Sequence, residues 1–305
     1  MSTSVEDRAY GAFLGLAVGD ALGTTLEFEE RDENPHHTEM LGGGPFDLKP
    51  GQWTDDTSMA LALAESLIAY PEFNAADLMT RFVAWAERGE YSCTGTCFDI
   101  GITTRMALRQ FEKSGDPFSG SDDKESAGNG SIMRIAPVAL IGLSDAAFSR
   151  KLAVDQGRVT HNVPACRDAC RLIVEVLRDL IQDNGHAFRP RSPEAYPAIE
   201  EVAMGTYKGK SRTEIRSTGY VVHTLEAALW AVERTETFEE ALVLAVNLGG
   251  DADTVGAVAG QLAGARYGLS GIPERWLEPL AWRSRLETLA ADLLRLNKPY
   301  WSRWK

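Results

Sequence analysis

A chain of 305 residues with 44% hydrophobic residues can bury a substantial core, and its formal net charge of -13 argues against attachment to nucleic-acid phosphates or to an anionic membrane surface. Four cysteines are too few for a disulfide framework, and Cys93 and Cys97 lack the second pair and the histidines of a zinc site, so reduced structural thiols are expected. The opening residues, MSTSVEDRAYGAF, carry acids and no basic stretch ahead of an apolar signal region, and no other stretch reads as an uninterrupted membrane span. A cytoplasmic location, with no membrane or nucleic-acid partner, is the expectation.

Small and apolar residues from Ala9 to Leu22 predict a buried first helix whose glycines allow close packing against a neighbour. The Gly/Pro-rich loop LGGGPFDLKPGQW then delivers Thr54, Asp55 and Asp56 to the start of a second helix, TDDTSMALALAESLIA. In NAADLMTRFVAWAER, Asn74 is the N-cap and Leu78, Phe82 and Trp85 lie on one apolar stripe. Pro137 must kink or delimit any helix in IMRIAPVALIGL. Further helices are predicted at CRDACRLIVEVLRDLI, GYVVHTLEAALWAVERT and FEEALVLAVNL, the last stopped by Gly249 and Gly250. The Pro- and charge-rich stretch 186–217 is the one boundary on offer. Apolar helices resume directly after it, so an insert within one domain spanning 1–305 is expected rather than a linker. No alternating strand series is visible, and the fold class is all-α.

Two acidic clusters share one construction, GQWTDDTSM and NLGGDADTVGAVAG, each placing aspartates beside a threonine at a glycine-marked helix boundary. Hard divalent cations such as Mg2+ and Mn2+ take oxygen ligands, so Thr54, Asp55, Asp56, Asp251, Asp253 and Thr254 form a complete set of potential ligands. Two like-charged clusters packed together would repel unless cations lay between them. Aspartate and threonine are also common helix caps, and on residues alone the two readings stand level.

The runs GLAVGDALGTTLEFE, GQWTDDTSMALALAESL, GNGSIMRIAPVAL, THNVPACRDA and NLGGDADTVGAVAGQLAGARYG resemble the successive signature blocks of the ADP-ribosylglycohydrolase family, in family order. Within it the chain is similar to the bacterial dinitrogenase reductase-activating glycohydrolases and to members acting on ADP-ribosyl-arginine. The resemblance implies a compact orthogonal bundle of helices with a central cleft for two divalent cations, Mg2+ or Mn2+, held by the same six residues. It further implies that Glu27 lies near the metals and either positions the substrate or activates water, that Asp99 faces the scissile bond, that one or other of these two manages protons there, and that Asn129, Gly130 and Ser131 approach a diphosphate through their backbone. His161 would lie beside the phosphates or distal ribose, and Tyr220 against the adenine. Taken by themselves, Glu27 reads as an exposed loop acid, Asp99 as a helix start, GNGS as an ordinary turn, and His161 and Tyr220 as core residues.

The activity implied is hydrolysis of the bond joining ADP-ribose to a protein side chain, most simply arginine, with an ADP-ribosylated protein as partner. A two-metal phosphohydrolase, a serine- or small-molecule-directed ADP-riboside hydrolase, and a non-catalytic ADP-ribose-binding protein are the alternatives.

Overall fold

The computed structural model describes residues 3–191 and 196–297, and among these it holds thirteen α-helices and no β-strand. The helices are α1 (Val5–Gly23), α2 (Asp55–Ala69), α3 (Ala75–Arg88), α4 (Ile102–Ser114), α5 (Ala136–Ile141), α6 (Ala146–Arg158) and α7 (Pro164–Gln182). They continue with α8 (Pro197–Ala203), α9 (Val221–Glu233), α10 (Phe238–Val246), α11 (Ala252–Tyr267), α12 (Glu274–Leu277) and α13 (Arg283–Leu296). Local chemistry sets several boundaries as expected. The Asn74 carboxamide oxygen accepts from the amides of Ala76 and Asp77, both at 3.1 Å, and Pro137 lies in the first turn of α5, where its missing N–H costs nothing.

Helices α1 and α11 form the centre, and glycine brings them together. A Cβ added to Gly11 would stand 2.3 Å from the Gly264 carbonyl oxygen, on Gly15 it would stand 2.3 Å from that of Gly260, and on Gly19 2.0 Å from that of Gly256. The glycines at four-residue spacing therefore form one seam along which the two backbones touch, and alanine fits at none of these positions. Apart from the first few residues of α1, both helices are surrounded by protein, so neither carries the one-sided apolar stripe of a surface helix. By length and composition Val5–Leu26 could cross a membrane, contrary to the reading that no stretch approaches such a span. Here 89% of its apolar window is buried inside the protein, and the α11 seam accounts for its character.

The 186–217 stretch contains α8, and residues 192–195 within it lie outside the described residues. Ile199, Val202, Tyr207 and Ile215 are buried in the same apolar cluster as α1 and α11. Arg31 ties the stretch to the chain ahead of Gly249, donating to the carbonyls of Arg212 (2.5 Å), Ile215 (2.7 Å) and Leu248 (3.1 Å).

Candidate active site

The two acidic clusters meet. α2 and α11 point their N-termini at one place, where unpaired amides and the positive ends of both helices favour anions. Thr54 and Asp251 occupy the N-cap positions, yet neither side chain caps its helix. The Thr54 hydroxyl instead lies 2.9 Å from Asp20 Oδ1, 3.2 Å from Asp253 Oδ2 and 3.5 Å from Asp56 Oδ2, and the Thr254 hydroxyl is 3.4 Å from that same Asp56 oxygen. Asp253 joins two triads whose oxygens all lie within 4.8 Å of one another, one with Glu27 and Asp251 and one with Asp55 and Asp99. All six expected ligand residues are thus gathered, together with Glu27 and Asp99. Neither N-cap side chain, Thr54 nor Asp251, caps its own helix, and the oxygens of the two clusters face each other instead.

The electrostatics fit a cation. Asp20, Asp56 and Asp253 are at most 1% exposed, and among the described residues no ion pair to a Lys, Arg or His is present for any carboxylate of the cluster. Thr54 has one hydroxyl proton for three carboxylate oxygens, and Asp56 Oδ1 is buried with no hydrogen-bond partner. Burial, then the neighbouring Asp253, pushes the Asp20 and Asp251 carboxyls up to about 7. Burial, then Asp253 for Asp55 and Asp20 for Asp56, holds both of these carboxyls well above the ordinary range. Oxygen-only donors with an orphaned lone pair and no counter-charge suit a hard divalent ion.

Glu27 is 3% exposed, not the exposed loop acid that its sequence context suggests, because Asp253 N donates to its Oε2 at 3.3 Å. Burial and Asp253 push its carboxyl up to about 12; burial and Asp55 push that of Asp99 up to about 11. Asp99 is also not a helix start. It sits in left-handed backbone (φ 57°), two residues ahead of the Gly101 N-cap of α4, a conformation that turns it back toward the cluster.

The nucleotide-side residues form a second shelf. Asn129 donates from Nδ2 to Asp251 Oδ2 at 2.6 Å, so its side chain orients an expected ligand, while its amide donates to the Gly219 carbonyl at 3.1 Å and is not free for a diphosphate. Ser131 is fully buried, and Gly130 lies over the imidazole: a Cβ there would be 2.6 Å from His161 Cε1. Thr160 Oγ1 accepts from Arg134 Nη2 at 2.9 Å and is hydrogen-bonded to His161 Nδ1 at 2.8 Å, which fixes the ring's orientation. Burial, then Arg134, pushes His161 down to about 3, so the imidazole is neutral. Tyr220 is half-buried at the N-terminus of α9, paired to Gly128 by a β-bridge, with its ring edge-on to His223 at 4.9 Å. The four cysteines are free thiols, and burial pushes Cys93, Cys97 and Cys170 up to about 11.

The sequence profile of the ADP-ribosylglycohydrolase family matches residues 1–302. The chain belongs to that family. It is 47% identical over 289 residues to the ADP-ribosylarginine hydrolase Tri1 of Pseudomonas putida (strain GB-1), covering 94% of this chain and 78% of that one. It is 40% identical to the ADP-ribosyl-dinitrogen reductase glycohydrolase of Rhodospirillum rubrum, covering 91% of each chain. A solved structure described as an ADP-ribosylglycohydrolase-related protein complex superposes with a TM-score of 0.86 at 42% identity, covering 97% of this chain and 99% of that one.

One member of this ADP-ribosylglycohydrolase site is absent from the sequence reading. Asp20 lies in the buried part of α1, inside the family block GLAVGDALG, and a lone carboxylate among small and apolar residues was the available signal. Its Oδ1 accepts from the Thr54 amide and hydroxyl, both at 2.9 Å, and its Oδ2 from the Thr57 amide (3.0 Å) and hydroxyl (2.6 Å). An α1 residue therefore caps α2 from outside, which frees Asp55 and Asp56 to face Asp253.

Proposed function

We propose that the chain hydrolyses the glycosidic bond between ADP-ribose and an arginine side chain of a modified protein, using two divalent cations, Mg2+ or Mn2+. The observation that carries this is the uncompensated carboxylate cluster, in which Thr54, Asp55, Asp56, Asp251, Asp253 and Thr254 would hold the cations. Bound there, they would neutralise the cluster, fix ribose hydroxyls and polarise water. Its arginine direction rests on the relatives' activities, and a cytoplasmic setting suits an intracellular modified protein.

Cleavage of the anomeric bond builds positive charge on the ribose, and water adds across the bond, oxygen to carbon and hydrogen to the departing nitrogen. Carboxylates around the sugar stabilise that charge. Glu27 and Asp99 both reach Asp253, from separate loops, which places each of them to hand a proton on at the scissile bond. Asn129 orients Asp251, while neutral His161 and the Gly130 turn serve the phosphates and Tyr220 the adenine.

The test is release of free ADP-ribose from an ADP-ribosyl-arginine protein with Mg2+, Mn2+ or chelator, comparing the native chain with Asp253→Asn. Cation-dependent release that the substitution abolishes is expected. AMP plus ribose phosphate as products would instead identify a phosphohydrolase, and binding without turnover on any linkage would remove the enzymatic reading.

A further inference from the structure

Glu27 is followed by Phe28 and Asp99 is preceded by Phe98. Glu27 is 3% exposed while Phe28, next to it, is 67% exposed. The reversal is built into the backbone: Phe28 takes a left-handed conformation (φ 64°) and its amide donates to the Gly250 carbonyl at 2.7 Å, anchoring the turn to the loop that carries Asp251. Phe98 precedes Asp99 on the other side of the site. Phe46, from the Gly/Pro-rich loop before α2, spans the distance between them, with its ring centroid 6.4 Å from Phe28 at 74° and 5.1 Å from Phe98 at 51°.

The result is a lane of three rings from three separate loops, joining the outer sides of Glu27 and Asp99. A core needs no such lane at the surface, since Phe28 is left mostly in water, where an apolar ring of that size is costly. Its chemistry is selective. Ring faces are electron-rich, so a planar organic cation suits such a surface, stacking on the rings themselves. The Tyr220, Asn129 and His161 shelf adjoins the same cluster through Asp251, which leaves the lane for the other half of a substrate whose sugar lies over the carboxylates.

We propose that Phe28, Phe46 and Phe98 form the subsite for the guanidinium of the modified arginine. The subsite deepens the arginine-hydrolase reading and rests on it. It would distinguish arginine from neutral linkages, because a hydroxyl leaving group gains nothing from a ring face.

The experiment uses the full chain with Mg2+, measuring kcat/KM on an ADP-ribosyl-arginine protein together with inhibition by methylguanidine and by free ADP-ribose. Phe46→Leu and Phe98→Leu should each lower kcat/KM by about 5- to 30-fold, the size of a cation–π contact of ~1–2 kcal/mol. Methylguanidine inhibition should weaken in step, inhibition by ADP-ribose should stay within about twofold, and Phe46→Tyr should restore most of the loss. Native-like kcat/KM in both leucine variants would overturn the proposal, as would a parallel loss of ADP-ribose affinity, which would assign the lane to the nucleotide. A native chain inactive on arginine linkages would instead sink the functional reading. Calorimetry of methylguanidine with the native and Phe46→Leu chains, in Mg2+ and ADP-ribose, then decides the lane alone: no difference between them overturns it.

Discussion

Gly19→Ala tests whether the α1–α11 seam sets the geometry of the site. A Cβ on Gly19 would stand 2.0 Å from the Gly256 carbonyl oxygen and 2.5 Å from its carbon, backbone atoms that cannot swing aside. Restoring ordinary contact at 3.4 Å parts the helices there by roughly 1.4 Å. Alanine favours an isolated helix over glycine by ~1 kcal/mol, whereas overpacking a rigid contact costs up to ~3 kcal/mol, so at a backbone clash this close a net loss of up to about 2 kcal/mol is expected. The functional loss should be larger in proportion. Asp20 follows Gly19 directly and Asp253 lies one turn before Gly256, and misplacing reacting groups by ~1 Å costs about 100-fold in rate. Gly11→Ala makes a comparable clash, 2.3 Å from the Gly264 oxygen, but lies about 12 Å farther along the helix. It should destabilise about as much and impair turnover less. Gly209→Ala, with nothing within 4 Å of the added carbon, is the neutral control. Denaturant unfolding and ADP-ribose release measure the two effects. Gly19→Ala that unfolds at the native midpoint and turns over within about twofold of native would refute the reasoning, and so would equal catalytic damage from Gly11→Ala.

Asp20→Asn should weaken Mn2+ binding by about 10- to 100-fold, as loss of an outer-shell carboxylate does, because an amide cannot accept from Thr54 and Thr57 on both of its heteroatoms. A Mn2+ titration followed by electron paramagnetic resonance reads this directly, and native affinity would remove Asp20 from the site. The pH dependence has a definite sign. The Asp20 and Asp251 carboxyls are pushed up from 3.8 to about 7, so the folded chain keeps protons that the unfolded chain releases, and cation-free stability falls as pH rises through that window. Chelated protein should therefore lose Tm from about pH 5 to about pH 8, and added Mn2+ should raise Tm most at the upper end. A cation-free Tm that climbs over that range would falsify the assignment.

The site was half legible in the sequence, and the division has a physical basis. TDDT and GGDADT stand out because each packs more oxygens than a cap needs against an apolar helix, a local excess visible without any contact map. What stayed hidden depends on partners distant in the chain. Asp20 finds Thr54 thirty-four residues away, and Asn129 finds Asp251 across 122 residues, so its side chain reads as part of a turn until both are placed. Asp99 reads as a helix start because periodicity cannot see its left-handed backbone. The sequence reading names no helix at α6 or α13, where charged residues are interspersed with the few apolar side chains that are buried, such as Leu152 and Ala153 in α6. Buried α1 was plain by contrast, since an apolar run of that length has no other home, and α7 was plain from its one-sided apolar periodicity.

The seam and the carboxylate cluster answer to one constraint. Carboxylates crowded at two helix N-termini repel, and Asp56 Oδ1 is left without a partner, so the cation-free site opposes the packing that creates it. A fold that must hold such a cluster needs a contact that does not yield, and backbone-to-backbone glycine packing is of that kind, because it has no side chain that can rotate away. Asp20 connects the two: it sits beside a seam glycine and fixes the start of α2, so a shift in the seam becomes a shift in the ligands. Cation binding then relieves the repulsion without rebuilding the site, and its free energy appears both as affinity and as stability of the helices that carry the ligands.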